Sequence, residues 1–182
     1  MNKVVRDILI TLVIAVVIFF LLHLTLQSFV VFEQCMEPNF YEGERILVNK
    51  AVYWFHEPER GDVVILHPPF NPDLVYIKRI IAIPGDTVEI TGGVVYVNGQ
   101  PLDESEYIME PPNYTFPLTT IPEGEYFVLG DNRNNANDSH TGWTVPEENI
   151  IGKAWLTFWP ISEWDVIDHY PLADQLESPE DE

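Results

Sequence analysis

The sequence predicts a mainly β domain of antiparallel strands, held outside the cytoplasm by a single N-terminal transmembrane helix. Three observations predict it. After Lys3, Arg6 and Asp7 comes a run of 25 residues, Ile8–Phe32, with no charged side chain. Beyond that run, short apolar stretches alternate with Gly, Pro and Asn-Gly turns, and no amphipathic period of helical length occurs. The formal net charge of −20 divides at the same place, into +1 before the run and −21 after it.

A bilayer core requires about 20 apolar residues in a helix. The run is long enough, with Thr11, His23, Thr25, Gln27 and Ser28 its only polar members. It is apolar on all sides, unlike the single apolar stripe of a surface helix. A cleavable leader has an apolar core of roughly 7–15 residues and a small-residue exit; here the core is longer, and Leu26–Phe32 contains no Ala-x-Ala. The reading is an uncleaved anchor over residues 8–28, with a strand beginning at the β-branched and aromatic Phe29–Phe32. By the positive-inside rule, residues 1–7 are cytoplasmic and everything after the span faces outward.

Strands follow in order at Arg45–Val48, Asp62–Leu66 and Val75–Ile83, bounded by Gly43, Gly61, Pro68-Pro69 and Pro84-Gly85. Thr87–Ile90 and Val94–Val97 form a hairpin around Gly92-Gly93, and Asn98-Gly99 reverses the chain again. Glu125–Leu129 and Lys153–Phe158 complete the set, with long loops at Tyr107–Pro122 and Asp131–Glu148. The outward domain is thus assigned to residues 29–171. Residues 172–182, ending Glu177-Ser178-Pro179-Glu180-Asp181-Glu182, read as an acidic disordered tail.

Composition excludes several functions. A chain with 9 basic and 29 acidic residues has no basic patch for nucleic acid. One cysteine excludes an intramolecular disulfide and any multi-cysteine metal site. No metal-ligand spacing is present; Asn132–Asp138 lacks the glycine and terminal glutamate of a calcium loop. No cofactor motif is present either.

The chemistry centres on Cys35, just past the membrane exit, and Lys78, inside the longest strand. Strand alternation puts Lys78 on one face with Tyr76, Ile80 and Ala82, and Arg79 on the other with Ile77, Ile81 and Ile83. Burial disfavours the charged form of an amine, which is the condition for a lysine to act as a base beside a nucleophile. Spacing alone leaves the plainer reading open, in which Lys78 snorkels to the surface and Cys35 fills space.

Five blocks, in order, extend this pairing to a family. Cys35-Met36-Glu37-Pro38, Arg60-Gly61-Asp62-Val63-Val64, Tyr76–Asp86, Val95-Tyr96-Val97-Asn98-Gly99 and Gly130–Ser139 together resemble bacterial signal peptidase I. That family consists of membrane-anchored Ser/Lys-dyad proteases that remove signal peptides from exported preproteins. The resemblance covers roughly Ile8–Pro160 and implies the antiparallel β-sheet catalytic domain of the signal peptidase type. It makes Cys35 and Lys78 the catalytic pair and the Cys35 backbone N–H an oxyanion donor. Met36, Val31, Glu33, Val75, Tyr76 and Ile77 would contact an extended substrate with small residues at −3 and −1. Asp131, Asn132, Arg133 and Asp138 would support the site. Implied partners are preprotein signal peptides and the lipid of the plasma membrane, with no metal or cofactor; oligomeric state is left open.

The chain departs from the family at four positions. Cysteine replaces the nucleophilic serine at Cys35, Glu33 stands where some members have serine, Ala136 where a lysine-orienting serine is frequent, and His140 where arginine is frequent. A catalytically impaired homologue that binds peptides is therefore the alternative. A Cys–His mechanism would instead require His56, His67, His140 or His169 beside Cys35, with His140 the best placed in sequence. Of the aromatics, Trp155 and Phe158 read as buried strand residues and Tyr53-Trp54-Phe55 as the better membrane-interface candidate.

Overall fold

The computed structural model describes residues 2–170 and 172–176. Helix α1, Lys3–Thr25, is the one helix among the described residues long and apolar enough to cross a membrane, with a mean hydropathy of 2.9 and no buried residue. It stops at Thr25, short of the expected residue 28, because Leu26–Val30 is recruited as strand β1. That strand pairs antiparallel with β2, Arg45–Asn49, from Leu26↔Asn49 to Val30↔Arg45. Tertiary pairing, not a change in hydropathy, sets this boundary.

The remaining strands are β3 (Val63–Leu66), β4 (Tyr76–Ala82), β5 (Thr87–Thr91), β6 (Val94–Val97), β7 (Gln100–Pro101), β8 (Phe116–Thr120), β9 (Glu125–Leu129), β10 (Val145–Pro146), β11 (Ile150–Trp159) and β12 (Asp165–Val166). One sheet runs β1-β2-β11-β3-β4-β9-β10 with β12 on β11; a second, four-stranded sheet runs β7-β6-β5-β8. Every recorded pairing is antiparallel. The mainly β, antiparallel expectation is therefore met. β8 and β10 lie inside stretches expected to be loops. Pro117 and Pro146 mask them in sequence, and both strands are sheet edges, where a residue without an N–H is tolerated.

Three cores result. Ile81, Val88, Ile90, Val95, Val97, Phe127 and Leu129 join the two sheets. Val31, Met36, Ile46, Val48, Ile65 and Ile77 pack around Cys35. Val64, Leu66, Ile80, Tyr126, Val128 and Val145 form the third. The alternation expected along β4 holds up to Ile80 and then breaks. A bulge between Ile80 and Ala82 turns both Ile81 and Ala82 into the first core, so Ala82 does not share the Lys78 face.

Two further expectations are corrected. Residues 172–176 belong to the folded domain rather than to a disordered tail. Leu172 is fully buried in the first core, and a short helix α2, Ala173–Leu176, follows it. Gln175 also accepts from the Asp103 N–H at 2.8 Å. Residues 177–182 lie outside the described residues. Trp155 is 47% exposed rather than buried, because it is the extra residue of a bulge where β2 pairs with Ala154 and Leu156 on either side of it. Phe158, in the next bulge, is half-buried.

A buried polar cluster under β3 makes stability pH-dependent. The Val63 N–H donates to His169 Nδ1 at 3.2 Å, which requires a neutral acceptor nitrogen. Burial and nearby Lys153 push the His169 imidazole down to about 4 from 6.5. The unfolded chain therefore binds more protons between these values. His169 stabilises the fold fully above pH 6.5, and that contribution is lost as pH falls toward 4. Chemical unfolding in detergent at pH 7 and pH 4 should show that His169→Asn, whose amide oxygen keeps an acceptor, removes roughly 2 kcal/mol of the pH dependence.

Candidate active site

The site begins with an unpaired strand edge. β9 pairs with β4 only from Arg79 onward, so Tyr76–Lys78 keeps one edge free. Lys78 starts on the face of Tyr76 and Ile80, and its chain wraps around this edge. Nζ lies 5.0 Å from the Tyr76 ring centroid, donates to the Ile77 carbonyl at 3.0 Å, and donates to Cys35 Sγ at 2.9 Å. Cys35 Sγ is itself 3.8 Å from the Ile77 carbonyl oxygen. Lys78 is 1% and Cys35 3% exposed, so the pair is held in a low-dielectric setting where its hydrogen bond is strong. The plainer reading, a snorkelling lysine and a filler cysteine, is thereby replaced by a contact between the two.

The pair lies at the base of an apolar cleft of about 480 Å³ between β1 with its continuation and the edge of β4. Of the residues expected to bind substrate, Val31, Glu33, Val75, Tyr76 and Ile77 line the cleft. Met36 does not. It is fully buried behind Cys35, where its Sδ accepts the Asp131 N–H at 3.4 Å. Ile46 and Ile65 form part of the lining and were not expected. Their strand alternation marked them as inward-facing, but nothing in sequence told which inner surface borders the cleft. Glu33 has φ +75°, a left-handed conformation unusual for a side-chain-bearing residue, and this turns the chain from the cleft wall toward Cys35.

The Gly-Asp-Asn-Arg block clamps Cys35 from behind. The Asn132 N–H donates to the Cys35 carbonyl at 3.0 Å, and Asn132 Nδ2 donates to the Gln34 carbonyl at 3.0 Å. Asp131 forms a two-pronged ion pair with Arg79, at 2.8 Å from Nε and 2.7 Å from Nη2, with both side chains buried. Arg79 Nη1 donates to the Gly61 carbonyl at 3.0 Å, and Asn39 Nδ2 donates to Asp131 Oδ2 at 2.7 Å. One carboxylate thus connects the lysine strand, the loop after β9 and the turn after Cys35. Arg79 and Asn39 were missed as site supports. The available signal was an arginine adjacent to the lysine on a strand otherwise too apolar to carry an unpaired charge.

Arg133 and Asp138 support the loop one step further out. Arg133 donates to Glu104 Oε1 at 2.6 Å and to the Gly130 carbonyl. Opposing charge from Glu104 keeps the Arg133 guanidinium's affinity for its proton above the ordinary value despite burial. Asp138 Oδ2 accepts the Gly130 N–H at 2.9 Å. His140 is not the partner of Cys35: its Nδ1 is 2.6 Å from Asp138 Oδ1, and its ring stacks on Tyr114 at 3.9 Å. His67 Nδ1 bonds the Leu74 carbonyl, His169 bonds Val63, and His56 is exposed. A Cys–His mechanism therefore has no geometric support.

Gly130 is required by close approach. A Cβ there would lie 2.5 Å from the Cys35 carbonyl oxygen and 2.6 Å from the Ala136 Cβ. Gly130→Ala is expected to cost about 1–3 kcal/mol, lowering Tm by roughly 2–10 °C. Thermal unfolding in detergent measures this; an unchanged Tm would remove the clamp from the account.

Among the described residues, no group of three or more His, Cys, Asp or Glu side chains is arranged to hold a metal ion. The chemistry on offer is that of a thiol nucleophile, an adjacent amine and an open strand edge.

Comparison with known proteins identifies the family. Residues 3–159 match the family described as "Signal peptidase, peptidase S26". The chain is 45% identical over 145 residues to the probable signal peptidase I-1 of Synechocystis sp., covering 76% of this chain and 74% of that one. It is 34% identical over 182 residues to signal peptidase IB of Staphylococcus aureus, covering 90% of this chain and 94% of the other. Among solved structures, a signal peptidase I from Enterococcus faecalis is similar at a TM-score of 0.44 and 30% identity, over 54% of this chain and 97% of that chain. With the family match spanning nearly all of the folded residues, the chain belongs to the signal peptidase family, peptidase S26.

Proposed function

We propose that the protein cleaves signal peptides from exported preproteins by a Cys35/Lys78 dyad, releasing the mature chain on the outer side of the plasma membrane. The 2.9 Å contact between Lys78 Nζ and Cys35 Sγ at the base of the cleft carries this reading. An extended segment fits between the β4 edge at Val75–Ile77 and the β1 continuation at Phe29–Glu33, where free backbone groups can bond it as an added strand. Ile46, Ile65 and Ile77 supply an apolar lining beneath such a strand, in keeping with small uncharged residues at −3 and −1.

Cys35 Sγ attacks the scissile carbonyl and forms a thioester, with Lys78 delivering a proton to the departing amine. Lys78 then takes a proton from the water that hydrolyses the thioester, and the thiol is regenerated. The Cys35 N–H has no hydrogen-bond partner among the described residues and is free to donate to the oxyanion. Asp131, Asn132, Arg133 and Asp138 hold this arrangement without touching substrate.

Lys3 and Arg6, in the first turns of α1 ahead of its uncharged run, favour a cytoplasmic N-terminus and an outward-facing catalytic domain. Trp54 lines a cleft with Leu24 at the outer end of α1, and Trp54 and Phe55 are exposed, so this turn is placed to meet the lipid interface.

The test is reconstitution of the full chain in vesicles with a preprotein. Cleavage after a small −1 residue is expected, blocked by bulky residues at −1 and −3 and by thiol-alkylating reagents. Cleavage that survives alkylation overturns the cysteine mechanism. A silent wild type that gains activity as Cys35→Ser would establish the alternative, a homologue impaired at its nucleophile.

A further inference from the structure

The Cys35–Lys78 pair has a second chemistry that a serine dyad lacks. A serine hydroxyl beside a lysine is inert to peroxide, whereas a thiolate is oxidised to a sulfenic acid, which an adjacent nitrogen can capture. Here that nitrogen is Lys78 Nζ, 2.9 Å from Sγ. Among the described residues its only other hydrogen-bond partner is the Ile77 carbonyl at 3.0 Å, with the Tyr76 ring 5.0 Å away, so no carboxylate ties the nitrogen away from sulfur. Both side chains line the open cleft, so a molecule as small as a hydroperoxide has a path to a thiol that is only 3% exposed.

We propose that a hydroperoxide converts the Cys35–Lys78 pair into a reversible intramolecular sulfenamide, an S–N bond between Cys35 Sγ and Lys78 Nζ. In the first step the Cys35 thiolate attacks the peroxide; a sulfur–oxygen bond forms, the O–O bond breaks and sulfur loses two electrons, and the departing hydroxide or alkoxide takes a proton from the Lys78 ammonium, leaving as water or alcohol and making the amine neutral. In the second, neutral Lys78 Nζ attacks the sulfenic sulfur; the S–N bond forms, the S–O bond breaks, and water carries away the oxygen with one proton from nitrogen. A dithiol reverses the bond. One of its sulfurs attacks Cys35 Sγ and expels the lysine amine; the other closes the dithiol into a cyclic disulfide and releases the Cys35 thiol. The lysine that serves the nucleophile thus also protects it, since sulfenamide formation competes with further oxidation to the sulfinic acid, which thiols do not reverse.

The 2.9 Å gap is closed from the Lys78 side, whose four-carbon stem is flexible. The neighbouring clamp uses neither reacting atom, because Asn132 bonds the Cys35 carbonyl and Asp131 bonds Met36 Sδ.

The inference rests on Cys35 and Lys78 being the reactive pair, but its readout is mass and needs no substrate. The full chain in detergent is treated with hydrogen peroxide and examined by intact mass and peptide mapping. The expected product is about 2 Da lighter, with a cross-linked peptide joining Cys35 to Lys78 and full recovery with dithiothreitol. Lys78→Met, close to lysine in length and apolar, should give no cross-link; it should label with a sulfenic-acid-specific dione and accumulate the sulfinic acid severalfold faster. A wild type that retains added oxygen, or that reaches the sulfinic acid as fast as Lys78→Met, overturns the proposal. Because peroxide-treated wild type reports on its own, misfolding of the variant leaves the test intact. Loss of preprotein cleavage without any mass change would count against the sulfenamide and leave the peptidase reading standing.

Discussion

Cys35→Ala is expected to lower kcat for preprotein cleavage by on the order of 10⁴–10⁶, because it removes the atom that forms the acyl intermediate. Lys78→Met should lower kcat by about 10²–10⁴, the range for loss of a positioned proton carrier, with KM little changed. The two losses should be strongly non-additive. Once Cys35 is absent, Lys78 has no nucleophile to serve, so the double variant should be no slower than Cys35→Ala. Cys35→Ser separates the roles of sulfur and geometry. It keeps the position beside Lys78 Nζ but requires the lysine to deprotonate a much weaker acid, so its pH profile should move to higher pH than that of wild type. Single-turnover cleavage across pH measures all four proteins. Unchanged cleavage in Lys78→Met would remove the lysine from the mechanism whatever its distance from sulfur.

Arg79→Ala should destabilise the domain by about 3–5 kcal/mol, because it leaves Asp131 as an uncompensated charge at 0% exposure. By the usual scaling for a chain of this size, Tm would fall by roughly 6–20 °C. The effect exceeds that of a surface pair, worth about 0–1 kcal/mol, since water can reach neither partner here. Asp131→Ala should cost a similar amount and also remove one of the two acceptors of Asn39 Nδ2, leaving it the Tyr107 carbonyl at 2.7 Å. Combining Arg79→Met with Asp131→Leu removes both charges together and should recover part of the loss. A change below about 1 kcal/mol in Arg79→Ala, measured by denaturant unfolding, would mean that the ion pair does not hold the lysine strand to the nucleophile loop.

The apolar N-terminal helix, most strands and the residues Cys35 and Lys78 were legible in the sequence because each depends on local chemistry. Ile8–Phe32 is apolar whatever packs on it, and Val75–Ile83 reads as a strand from β-branched residues bounded by Pro84-Gly85. Cys35 and Lys78 stood out as the single cysteine and a lysine in an apolar strand, and the ordered blocks around them resembled one family. Elements whose identity depends on partners were not legible. β8 and β10 contain prolines and exist because they are edges. Leu172 was grouped with an acidic tail, and its burial depends on the surface it meets.

The sequence by itself determined that this is an antiparallel β protein with one N-terminal apolar run long enough to cross a membrane and a single cysteine, Cys35, just beyond it. Only the tertiary structure decided that Lys78 reaches Cys35 at all. By strand alternation its side chain starts on the opposite face from the core around Cys35, and it arrives by wrapping a β4 edge that β9 leaves unpaired. The tertiary structure also decided that Met36 lies behind the site and that Arg79 secures it through Asp131. The physical reason is the same in each case. Periodicity specifies which way a residue points from its own strand, whereas contact depends on where strands end, where bulges shift them and which buried charges find partners.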